Sequence, residues 1–128
     1  MRGIPFAFFL AATLCATAGM IWGIQMSVIH DHNMSPAHAH LNLVGWVTLA
    51  LFGLYYHVTP QAASSGLARV HVGVAIVGVV VFVVGLVIVL QGGQPFLVAA
   101  GSLLTVVSMV IFLWTVLRHG FGGRIVEV

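Results

Sequence analysis

Charge is what this chain has least of. Only 5% of its 128 residues are charged: four Arg and two acids, with no Lys, for a net charge of +2. A water-soluble domain carries roughly 25% charged residues, so this chain cannot cover a water-facing surface. It also has no basic patch, which leaves no footprint for nucleic acid as a partner. Cysteine is nearly absent too. Cys15 stands alone inside an apolar run, so no disulfide framework forms within one chain and cysteine usage reports no redox compartment. What is present is hydrocarbon, at 61% hydrophobic residues. The expectation is an all-α membrane protein with one domain, residues 1–128.

Four apolar segments stand out: Ile4–Ile29, Pro36–Thr59, Leu67–Leu90 and Pro95–Leu117. Each is long enough to cross about 30 Å of hydrocarbon at about 1.5 Å per residue. The first resembles a signal peptide at its start, but its apolar run continues through Ile21, Trp22, Ile24 and Val28. That is too long for a cleaved leader and right for a retained span. Ala12-Thr13-Leu14 before Cys15 is the wrong lead-in for a lipid-modified cysteine. Ser35 is the expected N-cap of the second span, with Pro36 at the first helical position. Thr59-Pro60 closes that span. The polar stretch 61–66 and the turn Gln91–Gln94 separate the remaining segments.

The arginines orient the bundle. Arg2 precedes the first span, Arg69 opens the third, and Arg118 and Arg124 follow the fourth; the loops 30–35 and 91–94 carry no Lys or Arg. With both termini on the cytoplasmic side, all four cations lie inside. The expected location is a bacterial-type inner membrane, with His30, Asp31, His32, His38 and His40 near its outer face and His57, His71 and His119 near its inner face. Small residues recur at helical spacing: Ala12, Ala16, Gly19 and Gly23; then His71, Gly78, Gly85 and Gly92 at seven-residue intervals; then Gly101, Thr105 and Ser108. Such stripes let helices approach closely, and packing within one bundle is the expected use. Four short helices bury little alone, so self-association is expected as well.

The histidines carry the chemistry. His38 and His40 are two residues apart, which on a helix turns them about 200° from each other. They cannot share one small ion, whose helical sites use a spacing of four. Each can offer a nitrogen to a different planar cofactor, one on each side of the helix. Haem fits that geometry, since it takes axial imidazoles and an apolar slot. His30, Asp31 and His32 form a second candidate, a loop site for copper, zinc or iron; a solvated polar turn is the commoner use of such a loop. Tyr55 and Tyr56 beside His57 and His71 read as an interfacial aromatic belt, and His119 as solvated.

The second span resembles a helix of the catalytic subunit of haem–copper oxidases, closest to the C-type oxidases and nitric oxide reductases. In that family one helix carries HxHxxxxGW, then FG, a Tyr and a Pro. Here the order is His38, His40, Gly45-Trp46, Phe52-Gly53, Tyr55-Tyr56 and Pro60, over about 25 residues. The resemblance implies that His38 and His40 each ligate a haem iron, with haem b as the cofactor. The family fold has twelve helices in three four-helix arcs. By analogy, three copies of this chain would rebuild the ring, with haem between His38 of one copy and His40 of the next.

The chain also departs from the family. The copper-site motifs, HPxxY and an adjacent HH pair, are absent, as is the outer arginine pair that receives haem propionates. Trp22, Gln25, His30, His32 and Asn33 are the candidates to replace those arginines. Asn42, Gly45 and Trp46 complete the candidate haem contacts. Both acids, Asp31 and Glu127, lie outside the spans, so no membrane carboxylate lines a proton path. The expectation is therefore a b-type haem protein rather than a complete oxidoreductase. It would pass electrons from a redox partner or quinol, or bind O2 or NO at an open axial position. The competing expectations are an outer copper- or zinc-binding protein without haem, and a structural membrane subunit.

Overall fold

Punctuation sets the helices. The computed structural model describes residues 2–123; Arg124, one of the four orienting cations, and Glu127 lie outside the described residues. Helix α1 spans Gly3–Ile29 and ends on His30 in the left-handed region, at φ 53°. The second span runs Ser35–Val58 in three parts: α2 (Ser35–His40), a π-helical segment (Leu41–Thr48) and α3 (Leu49–Val58). A single turn, α4 (Pro60–Ala63), interrupts the polar stretch expected to be a loop. Helices α5 (Gly66–Leu90) and α6 (Phe96–His119) complete the chain. Every described element is a helix, and four are long and apolar enough to cross a membrane.

The caps correct one expectation. Ser35 lies inside the helix rather than capping it: Met34 is the N-cap residue, and its carbonyl accepts the His38 N–H at 2.9 Å. Ser65 does cap, its hydroxyl accepting from the Ala68 N–H at 3.2 Å. Helix α5 stops in a Schellman arrangement. Gly92, at φ 85°, lets the Gly93 N–H reach the Ile88 carbonyl at 2.9 Å while its own N–H bonds Val89 at 2.9 Å.

The small-residue stripes pack within the chain. In α5, Gly78 and Gly85 face α6: a Cβ on Gly78 would come within 3.1 Å of Leu104, and one on Gly85 would strike the backbone at Leu97 and Val98. Gly101 answers from α6, seated on the Phe82 backbone. Helix α1 lies along the second span, where Gly53 approaches Pro5 and Phe8. The outward faces are lipid-like. Leu14, Met20 and Leu117 are 62%, 71% and 73% exposed, as expected of side chains meeting hydrocarbon rather than water.

The core sits toward the end that carries Arg118, and it corrects the belt expectation. His71 and Tyr56 are fully buried and Tyr55 nearly so, whereas His57 alone of that group is exposed. Phe8 stacks on Tyr56 at 5.6 Å, and the His71 ring lies 4.6 Å from Phe52 and 5.0 Å from Phe8. Burial holds because each polar atom has a partner. The Tyr56 hydroxyl is 2.8 Å from His71 Nδ1, His71 Nε2 is 3.2 Å from the Ser108 hydroxyl, and Tyr55 donates to the Gly120 carbonyl at 2.6 Å. His119, expected to be solvated, is half-buried.

Candidate functional site

The second span begins its first turn at Ser35 and delivers His38 and His40 within two turns. The local helix then widens. The Asn42 side chain donates to the His38 carbonyl at 3.0 Å, the acceptor that an α-helix would use for the Asn42 N–H. A side-chain donor entering the ladder displaces the backbone pattern, and the segment Leu41–Thr48 runs in π-helical form. Thr48 follows the same register, its hydroxyl donating five residues back to Leu43 at 2.8 Å. Single π turns gather at functional sites.

His38 turns toward α1. Its Nε2 lies 2.9 Å from the Gly19 carbonyl. A carbonyl only accepts, so the ring donates Nε2–H. The Asn42 amide nitrogen is 3.3 Å from the same Nε2, but a nitrogen already donating offers it no lone pair. The α1 glycines make the seat: a Cβ on Gly23 would stand 3.1 Å from His38 Nε2, and one on Gly19 would stand 2.5 Å from Asn42 Oδ1. Trp22 presents its ring edge-on to His38 at 6.2 Å. The Gly19/Gly23 pair therefore serves the site as well as helix contact.

His40 turns the other way, toward α5. Its Nδ1 is 2.7 Å from the Pro36 carbonyl, so Nδ1 carries the proton and Nε2 holds the lone pair. No described residue hydrogen-bonds that Nε2. Phe82 of α5 lies edge-to-face with the ring at 5.1 Å. A backbone carbonyl on one ring nitrogen with the other left bare is the arrangement that orients metal-ligating histidines. About one and two turns further along the span, Val44 and Thr48 face a crevice of about 190 Å³ closed by Val79, Thr105 and Ser108, with His40 outside its lining. Its walls are mostly apolar, which suits a porphyrin edge, but it is smaller than the roughly 300–1,000 Å³ of a closed ligand pocket.

The remaining candidates separate. His30, Asp31 and His32 are all exposed, and the Asp31 carboxylate accepts the Asn33 N–H at 3.0 Å in a local turn. Among the described residues no three His, Cys, Asp or Glu side chains gather on one point. Gln25 and Asn33 are exposed, and no described residue hydrogen-bonds their side chains. Gly45 is buried, with Cys15 Sγ 2.9 Å from where its Cβ would be; Trp46 is half-buried against the core. Phe82 was not singled out from the sequence, nor was the Tyr56–His71–Ser108 group. The seven-residue register of His71 with Gly78 and Gly85 was the available signal, since it puts His71 on the packed face of α5. The chain matches no family model, no curated protein and no solved structure.

Proposed function

We propose that this chain is a membrane-embedded haem b protein of the haem–copper oxidase type, serving electron transfer or the binding of O2 or NO. The observation that carries this reading is the His40 ring, whose Nδ1–H is fixed on the Pro36 carbonyl while no described residue hydrogen-bonds its Nε2, on the same span that lends Val44 and Thr48 to an apolar crevice. His40 Nε2 is the preformed ligand. His38 is the second, and its Nε2 must first release the Gly19 carbonyl, so its ligation is the weaker of the two. Haem supplies a one-electron couple when both axial positions are filled, and a gas site when one is open. The crevice covers one side only, which supports a second copy as the other wall and the three-copy ring as the assembly. Facing the outside of a bacterial-type inner membrane, the site would exchange electrons with a redox partner or quinol.

Absorption spectra with and without reductant test the assignment on wild type, His38→Ala and His40→Ala. We expect His40→Ala to lose most of its haem, and His38→Ala to keep haem but move toward the five-coordinate, high-spin form. Identical spectra in all three proteins would remove both ligands from the account.

A further inference from the structure

His71 and Tyr56, near the Arg118 end, are fully buried and have no part in holding haem. Their hydrogen bonds form a line. The Tyr56 hydroxyl meets His71 Nδ1 at 2.8 Å, and His71 Nε2 meets the Ser108 hydroxyl at 3.2 Å. Phe8, Phe52 and Phe112 close around the imidazole and carry no charge. Among the described residues packed against His71, Tyr56 is the other titratable group. An imidazole within hydrocarbon depth is costly and is kept there chiefly for a task. A merely structural histidine needs one donor and one acceptor of any kind. This one has a hydroxyl at each nitrogen, and a hydroxyl both donates and accepts.

Each end of the line opens on a cavity. Ser108 lines the 190 Å³ crevice together with Val44, Thr48 and Thr105. At the other end, the Thr115 side chain neighbours the Tyr56 hydroxyl, with its own hydroxyl donating to the Ile111 carbonyl at 2.8 Å. Thr115 also lines a separate cavity of about 260 Å³ with Ser65, Arg118 and His119. Both spaces exceed the roughly 30 Å³ that one water occupies in the liquid.

We propose that Thr115, Tyr56, His71 and Ser108 form a proton-conducting bridge between these two cavities, and that the route continues past Val44 and His40 to the opposite membrane face. The path needs no carboxylate. Starting with Tyr56 O–H donating to Nδ1 and Nε2–H donating to Ser108, the Thr115 hydroxyl swings from the Ile111 carbonyl and gives its proton to the Tyr56 oxygen while taking one from a water in the Arg118-end cavity. Tyr56 passes its own proton to Nδ1, Nε2–H passes to the Ser108 oxygen, and Ser108 releases its proton to a water in the crevice. One proton has moved, each side chain is neutral again, and the imidazole carries its hydrogen on Nδ1. Before the next proton follows, the starting tautomer is restored by exchange with water: Nδ1 gives its hydrogen to a water, and a water returns one to Nε2.

The test uses purified full-length protein in phosphatidylcholine vesicles holding a pH-sensitive dye, with a potassium gradient and valinomycin as the driving force. Wild type should pass protons well above the rate of protein-free vesicles. Tyr56→Phe and Ser108→Ala should each fall to that background, because the elements act in series. Tyr56→Phe lies away from His38, His40 and the crevice, so its haem content should match wild type, which separates this test from that of the haem assignment; Ser108→Ala is read by proton flux alone. If Tyr56→Phe lowers the melting temperature, Ser108→Ala decides the matter. A wild-type rate equal to that of empty vesicles, or a well-folded variant conducting like wild type, overturns the bridge.

Discussion

At the scale of single residues, the two neighbouring histidines have different tasks because their ring nitrogens meet different partners. His38 spends Nε2–H on the Gly19 carbonyl, whereas His40 spends Nδ1–H on Pro36 and keeps Nε2 bare. The seat of His38 depends on the absence of a methyl group at Gly19. A Cβ there would come 2.5 Å from Asn42 Oδ1, and Asn42 cannot yield without losing its bond to the His38 carbonyl. Gly19→Ala should therefore lower stability by about 1–3 kcal/mol, read as the loss of melting temperature in detergent. In an Asn42→Ala background the same change should cost much less; equal costs in both backgrounds would show that the contact does not matter. The divergence of His38 and His40 was legible from their spacing alone. Which nitrogen each ring commits was not, because that depends on a carbonyl of α1 and on one from the preceding turn.

At the scale of elements, glycine position decides how closely α5 and α6 pack. Gly85 meets the backbone of Leu97 and Val98, which cannot step aside, whereas Gly73, on the same helix, has open space around its Cβ position. Gly85→Ala should destabilise by about 1–3 kcal/mol through overpacking. Gly73→Ala should be neutral or stabilise by up to about 1 kcal/mol through helix propensity. Unfolding titrations of the two variants check the contrast, and similar losses in both would contradict the packing account. The long apolar runs and their Gly, Pro and Ser punctuation made the four spans readable to within a few residues. The π-helical segment at Leu41–Thr48 was not readable, since it arises where the Asn42 side chain takes a backbone acceptor. His71 read as a belt residue because it lies in the second turn of α5. Its burial comes from Phe8 and Tyr56, contributed by other helices.

At the scale of the whole molecule, two polar centres lie toward opposite ends of one apolar bundle. The loop around Asn33 sits at the end of the histidine pair, and Gln61 lies at the end where Gly122 and Thr59 meet. The arginine distribution predicts that the Asn33 end faces out. In a Cys15→Ala background, Asn33→Cys should react with a membrane-impermeant maleimide on intact cells, and Gln61→Cys only after permeabilisation. The reverse pattern would invert the orientation.

The proposed function stands on one nitrogen, His40 Nε2, which no described residue hydrogen-bonds while Nδ1 is held on the Pro36 carbonyl. Its most direct measurement is the haem-to-protein ratio of wild type and His40→Ala, purified from cells supplied with a porphyrin precursor. The account predicts a coloured wild-type protein with haem in fixed proportion to chain and a His40→Ala protein that is folded but nearly colourless. A wild-type protein that is folded, colourless and free of iron would contradict it.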